Sequence, residues 1–147
     1  MKKVVLLTFT LVLGLLCGGC GASQPTATFT DLVTKPAQYS GKTVTVDGIY
    51  INGWESTILA DNITFTGSAG SRELKAPDNS IWFAGFLPLD ISNKLYEYTS
   101  PLAGPQHYGK VRVTGIFETG GKYGNTYLFK YRITAQKVEL LDWKPPQ

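Results

Sequence analysis

Two stretches, far apart in the chain, spell nearly the same strand: GKTVTVDGIY at residues 41–50 and GKVRVTGIF at residues 109–117. In both, valines alternate with polar residues, which is the period-2 pattern of a strand that buries one face. In both, a glycine (Gly48 or Gly115) then interrupts the alternation before an apolar pair. A glycine inside a strand pattern often marks a bulge or a sharp bend. We therefore expect a corner at each glycine, as a small closed barrel requires.

The apolar residues of the first stretch support a slip at its glycine. Val44 and Val46 can share a face with Ile49 and Ile51 only if the alternation shifts by one residue at Gly48. The sequence therefore predicts one continuous apolar face that passes through the corner.

Three further segments have the composition of strands. They are ESTILAD (55–61), which ends in a turn-forming pair, SIWFAGF (80–86), which is aromatic and uncharged, and TYLFKYRITAQKVELL (126–141), which is long and amphipathic. The last segment keeps its apolar face only through a slip near Gln136–Lys137. ETGGKYGNT (118–126) is rich in glycine and predicts a hairpin loop between the last two strands.

The domain opens with a segment that predicts a short helix. In FTDLVTKPAQYSGK (29–42), Thr30 or Asp31 can cap a helical turn, and Pro36 limits how far that turn continues. TGSAGSRELKAPDN (66–79) has the composition of a loop.

A second helix is predicted within LPLDISNKLYEYTSPLAGPQ (87–106). Asp90 or Ser92 can cap it. Its apolar residues at helical spacing are Ile91, Leu95 and Tyr98.

Together these elements predict an all-β fold with one or two short helices, a five-stranded Greek-key barrel of the OB-fold type. In that barrel the first and fourth strands lie side by side, which explains their similar sequences. Over residues 29–141 the chain resembles the stand-alone OB-fold domains of bacterial envelope lipoproteins. The segments KPAQYSGKTVTVDGIY, YGKVRVTGIFE and YRITAQKVELL carry the resemblance. It implies a fold more than a function, because OB-folds bind many kinds of ligand.

The first residues predict a secretory signal peptide. A basic start precedes an apolar run from Val4 to Leu16, which is too short to cross a bilayer as a helix, since that takes about 20 residues. LLCGGC, which follows, resembles the lipobox of bacterial lipoproteins. The resemblance implies that Cys20 is diacylated and becomes the mature N-terminus. The alternative is ordinary secretion with cleavage near Gly18 and Gly19. The predicted organisation is a signal peptide (1–19), a lipidated cysteine and tether (20–28), an OB-fold domain (29–142) and a C-terminal tail (143–147).

Processing would change both the charge and the cysteine content. The chain has 14 basic and 11 acidic residues, a net charge of +3, and loss of Lys2 and Lys3 leaves 12 minus 11, or +1. A nucleic-acid-binding protein carries clustered Lys and Arg, so this balance argues against that class. With Cys17 removed and Cys20 acylated, the mature domain has no thiol and no disulfide. Its hydrophobic core alone must hold it together.

The chain carries no recognisable motif for catalysis. His107 is the single histidine, and we interpret it as a loop or strand-entry residue, because no cysteine remains beside it and no carboxylates have a metal-binding spacing. GSAGS (67–71) lacks the helix and the Lys-Ser/Thr of a phosphate-binding loop. No serine stands in a nucleophile motif. We therefore expect a protein that is not an enzyme and has neither cofactor nor metal.

The expected fold locates a candidate binding surface. OB-folds bind ligands around their second and third strands and in the flanking loops. Exposed aromatic rings there suit sugars, peptides or unstacked bases. Trp54 lies in a glycine-bearing loop and is the best candidate for exposure. Trp82 fits a core equally well, and either Phe83 or Phe86 is expected in the core, depending on the phase of the strand. The candidate ligand-binding residues are Asn52, Trp54, Trp82, Phe86, Lys122 and Tyr123.

Three functions are compatible with the sequence. The first is a lipid-anchored envelope lipoprotein that faces away from the cytoplasm and binds a protein, peptide or glycan without catalysis. The second is a nucleic-acid-binding OB-fold protein, which secretion and the charge disfavour. The third is a hydrolytic or metal-dependent enzyme, for which no constellation of residues was found.

Overall fold

The computed structural model describes residues 26–68 and 72–146. The predicted signal peptide and the predicted acylation site, Cys20, lie outside the described residues. The fold is mostly β with three short helices. The helices are α1 (Phe29–Thr34), α2 (Pro36–Tyr39) and α3 (Leu89–Ser92), and the strands are β1 (Thr43–Asn52), β2 (Thr57–Ala60), β3 (Thr64–Thr66), β4 (Glu73–Lys75), β5 (Ile81–Ala84), β6 (Tyr96–Ser100), β7 (Gly104–Tyr123) and β8 (Phe129–Leu140).

Six strands form one mixed sheet in the order β1-β2-β5-β8-β7-β6, and β1 also pairs with β7. Hydrogen bonding therefore runs around a ring of five strands, with β6 attached to β7. Within the ring, β5 and β8 run parallel and the other neighbours run antiparallel. The five strands of the ring correspond to the five predicted from the sequence. The two repeated stretches lie in β1 and β7 and pair directly, from Thr43 opposite Ile116 to Asn52 opposite His107.

The main core draws on all five strands of the ring. Each contributes side chains that are almost fully buried, and α1 and α3 pack against them. Alternation along each strand explains the selection, because every second side chain of β1 and β7 points to the same side. Representative members are Val44, Leu59, Ile81, Val113 and Ile133 from the strands, Phe29 and Leu32 from α1, and Ile91 from α3.

A second apolar cluster lies on the other face of β1, β2 and β5. The antiparallel hairpin of β3 and β4 covers it with Phe65 and Leu74. This hairpin forms where the sequence predicted a loop. The composition of residues 66–79 is mostly polar, but Phe65 just before this segment and Leu74 within it are apolar and pack on this face. The strand members of the second cluster include Ile49, Ile51, Ile58 and Tyr108.

The predicted slip at Gly48 is wrong. The pairing of β1 with β7 continues through Gly48 without a shift in register. Tyr50 therefore extends the face of Val44 and Val46 into the main core, while Ile49 and its neighbour at position 51 belong to the second cluster. The apolar residues on both sides of the glycine reflect a strand that is buried on both faces, and no change of phase is needed.

The slip near Gln136–Lys137 is confirmed. Thr114 pairs with Lys137 and Gly115 with Ala135, so Gln136 is an extra residue in β8. The irregularity lies beside Gly115, as predicted, but the inserted residue belongs to the partner strand.

The first helix is capped by a different residue from the two predicted. The Oγ1 of Thr28 accepts a hydrogen bond from the backbone N–H of Asp31 at 3.0 Å, so Thr28, and neither Thr30 nor Asp31, caps α1. Pro36 occupies the first turn of α2, where its missing N–H costs nothing.

The second predicted helix is only one turn long. α3 follows Pro88, which takes the place of the predicted caps Asp90 and Ser92, and ends before Leu95. Residues 96–100 form β6, whose Tyr98 pairs with Gln106 of β7. Pairing with a distant strand has prevailed over a local helical spacing.

Candidate functional site

The six candidate residues do not form one patch. Trp54 lies in the turn between β1 and β2 with 85% of its surface exposed, and Phe86 is 97% exposed beyond the end of β5. Trp82 in β5 and Tyr123 at the end of β7 are each half-buried, and neither lies in the turn of Trp54. The structure therefore divides the predicted surface into separate places.

Trp54 forms one wall of a groove between two hairpin turns, which we call the Trp54 groove. The opposite wall is the turn between β6 and β7, where Leu102 is 86% exposed. The groove has a volume of about 360 Å³. It is lined by Gly53, Trp54, Glu55, Ser56, Leu102, Ala103 and Gln106.

Hydrogen bonds fix the turn that carries Trp54. The N–H of Gly53 donates to the carbonyl of Ser56 at 3.0 Å. The Asn52 amide donates to the hydroxyls of Tyr50 (3.2 Å) and Thr57 (3.4 Å) at the base of the turn. Asn52 thus braces the hairpin and is absent from the lining of the groove. Burial raises the pKa of Tyr50 above its ordinary value.

A buried serine, which the sequence did not single out, fixes the opposite turn. The Ser100 Oγ accepts from the backbone N–H groups of Leu102 (3.2 Å) and Ala103 (2.8 Å). The same hydroxyl donates to a carboxylate oxygen of Glu73 in β4 at 2.6 Å. The signal in the sequence is the pair Ser-Pro ahead of a turn that ends at Gly104, which has φ +72°. Hydrogen bonds therefore fix both turns that form the walls of the groove.

Two polar groups of the Trp54 groove have no partner among the described residues. The Oε1 of Gln106 is buried and accepts no hydrogen bond from the described residues. Glu55 is exposed and takes part in none of the ion pairs formed among residues 26–68 and 72–146. The exposed carboxylate of Glu55, the side chain of Gln106 and an exposed indole give the groove its chemical character.

Trp82 belongs to the packing of the second cluster. It lies opposite Ile58 of β2, and its ring packs against Phe129 with 5.5 Å between centroids. The β3–β4 hairpin covers the neighbouring part of this face. The surface around β2 and β5, where the sequence placed the binding site, is thus largely occupied by the protein itself.

Tyr123 is held by a charged pair in the sheet. The guanidinium of Arg132 lies 4.9 Å from the centre of its ring, and Arg132 also pairs with Glu118 at 2.7 Å. Lys122 beside it is exposed. Neither residue lies in the Trp54 groove.

A second concave surface lies where β6 and β8 meet along β7. It has a volume of about 330 Å³ and includes Lys94 and Lys110 with an aromatic wall. In that wall, Tyr96 stacks on Tyr108 and donates a hydrogen bond to the carbonyl of Trp143 at 3.0 Å. Trp143, which belongs to the predicted C-terminal tail, therefore packs against the sheet.

The described residues show no arrangement for metal chemistry. Among residues 26–68 and 72–146, no three side chains of His, Cys, Asp or Glu lie close enough to hold a metal ion. His107 is an exposed strand residue opposite Asn52. The clearest charged pair is Asp47 with Arg112 at 2.7 Å, and hydrogen bonding from the guanidinium lowers the pKa of Asp47.

Comparison with protein-family models, with curated proteins and with solved structures finds no match to this chain. Within the part of the chain that the structure describes, no helix has the length and apolar character needed to span a membrane.

Proposed function

We propose that the chain is a lipid-anchored lipoprotein of the bacterial cell envelope whose OB-fold barrel binds a segment of a partner protein, without catalysis, in the Trp54 groove. The connectivity of the ring supports the fold. If β3, β4 and β6 are set aside, the ring strands follow the order first, second, third, fifth, fourth and back to the first. A parallel pair joins the third and fifth. This is the closure expected of a five-stranded OB-fold.

The exposure of Trp54 and Leu102 on opposite walls of one groove carries the proposal. Large apolar side chains that face each other in solvent mark interaction sites. Aromatic anchors contribute most of the energy in protein interfaces. Hydrogen bonds brace both turns, so the groove is already ordered without a ligand. Binding of a partner therefore costs the groove little conformational entropy.

The same groove favours a protein over a nucleic acid. Its described lining has no Lys or Arg to neutralise phosphates, and it carries the carboxylate of Glu55. The aliphatic wall of Leu102 and Ala103 suits apolar side chains better than the hydroxyls of a sugar.

A photocrosslinking amino acid at Ser56, between the two walls, tests the proposal in intact cells. We expect adducts with a specific protein that disappear in the double variant Trp54→Ala, Leu102→Ala. That variant should keep its melting temperature, because exposed side chains usually change stability by no more than about 0.5 kcal/mol. The control position is Lys75, an exposed residue of β4. Equal adducts from both positions, or none from position 56, would contradict the proposed site.

A further inference from the structure

The charge of the Trp54 groove limits what can enter it. Among the described residues that line it, Glu55 carries the one formal charge, and no Lys, Arg or His is present. Because no cation of the described chain pairs with Glu55, a ligand can supply its counter-ion without displacing an existing partner. An acidic ligand would instead meet a like charge.

The indole of Trp54 adds a second preference for positive charge. Its ring is almost fully solvent-exposed, so both the π face and the ring edge are accessible. Guanidinium and ammonium groups are attracted to the face of an indole, which is the strongest aromatic partner for a cation.

Gln106 supplies a third group with the same preference. Its enclosed Oε1 receives no hydrogen bond from the described residues, and a buried acceptor without a partner is unfavourable. The side chain packs beside the turn of Trp54, since a Cβ built at Gly53 would lie 3.4 Å from the Cγ of Gln106. If a hydrogen-bond donor enters between the walls, rotation of the Gln106 side chain can bring this oxygen to the donor and satisfy it.

Resting on the proposed function, we infer that the Trp54 groove recognises a basic side chain, Arg or Lys, of the partner protein. The three preferences coincide in one place and point to a donor that is also a cation. Leu102 and Ala103 complete the match, because the methylene stem of Arg or Lys can pack on an apolar wall while its charged end reaches a carboxylate. Arg fits best, since its planar head both stacks on an indole and donates several hydrogen bonds.

Three blocked tripeptides test the inference by NMR: Leu-Arg-Leu, Leu-norleucine-Leu and Leu-Glu-Leu. The signals to follow are the indole N–H of Trp54 and the side-chain amide of Gln106. We expect the arginine peptide to shift both and to bind about fivefold tighter than the norleucine peptide, from one exposed charge pair and one cation–π contact. This advantage should shrink at about 1 M salt, where the Debye length falls to about 3 Å.

Two variants with the same change of net charge locate the effect. Glu55→Gln should remove the part of the preference for the arginine peptide that comes from the charge pair, about half of it in free energy, and leave the part that comes from the cation–π contact with Trp54. Asp142→Asn should leave the preference unchanged, because that carboxylate lines the second concave surface and not the Trp54 groove. Equal binding of the arginine and norleucine peptides by the wild type overturns the inference, and so does a preference that Glu55→Gln does not reduce.

The proposed function can be judged separately. If all three peptides bind alike and Trp54→Ala abolishes their binding, the groove binds peptides but does not select charge. If the arginine peptide causes no shift at millimolar concentration, recognition of a basic side chain is wrong, while crosslinking from position 56 still decides whether a protein docks there.

Discussion

Gly48 and Gly115 occupy matching places in the two repeated stretches, and each is a glycine because another strand passes too close for a side chain. A Cβ at Gly48 would lie 2.7 Å from the Cγ of Leu59 in β2. A Cβ at Gly115 would lie 2.9 Å from the carbonyl carbon of Thr134 in β8 and would overlap its oxygen. The shared sequence thus reflects a shared steric requirement, and the phase of the strand is unaffected at Gly48.

Gly115→Val should be strongly destabilising, because the clash is with backbone that belongs to the β7–β8 ladder and cannot rotate away. We expect a loss of roughly 3 kcal/mol, the upper part of the range for overpacking, and a drop in melting temperature on the order of 10 °C. Thr114→Val is the matched control. It removes the hydrogen bond between the hydroxyls of Thr114 and Thr45 (2.9 Å), which costs about 1 kcal/mol. Thermal denaturation followed by circular dichroism compares the two, and equal losses would refute the steric argument.

The exposure of single aromatic residues could be predicted only where local sequence decides it. Trp54 lies in a tight turn next to a glycine, and its exposure followed from that position. Trp82 has a strand sequence compatible with either face. Its environment depends on Phe129 and on a hairpin from another part of the chain, and no local pattern reports such contacts. The unpaired Oε1 of Gln106 was likewise invisible in the sequence, because it depends on the packing of two turns.

At the scale of elements, the strands of the ring could be predicted because alternation and turn residues specify them locally. The β3–β4 hairpin and β6 could not. Three-residue strands such as Thr64–Thr66 are too short to show a period, and β6 overlaps a helical spacing. The β3–β4 hairpin forms because it covers an apolar face, and β6 forms because it pairs with β7. In each case the deciding partner is distant in the chain.

Phe65→Ala tests whether the β3–β4 hairpin stabilises the fold as a cover. Phe65 packs against the rings of Tyr98 and Tyr108, with centroids 5.4 and 6.1 Å away, and is half-buried. We expect a loss of roughly 2 kcal/mol, about half the cost of truncating a fully buried phenylalanine. Urea denaturation measures it. Thr66→Ala, at an exposed position of the same strand, should stay within about 0.5 kcal/mol of the wild type. A Phe65→Ala variant as stable as this control would show that the hairpin covers the face without stabilising it.

For the molecule as a whole, the proposed anchor sets a distance. The first described contact with the sheet is at Thr26, where Thr26 bridges Thr45 and the N–H of Ala27 donates to the Thr45 carbonyl at 2.9 Å. Only residues 21–25 separate this contact from Cys20. Fully extended, they reach less than about 20 Å. With Cys20 acylated, the domain would stay within that distance of the membrane surface.

Cys20→Ser tests the anchor. We expect this variant to leave the membrane fraction, to lose incorporation of labelled palmitate and to escape globomycin-sensitive processing, because serine offers no thiol for the diacylglyceryl group. Cell fractionation with Cys17→Ser as the control measures the effect, since the thiol at position 17 is predicted to leave with the signal peptide. Normal fractionation of Cys20→Ser would show that secretion is of the ordinary kind.

The direct pairing of β1 with β7 also has a consequence in time. This pairing joins residues as far apart in the chain as Thr43 and Ile116, and such distant pairings make folding slow. If the chain is exported as proposed, β1 and β2 leave the translocation channel before β7 and β8 are outside it to complete the ring. During that interval the apolar side chains of β1 and β2 lack their core partners from β7 and β8. The newly exported chain would then expose the apolar surface that a chaperone binds.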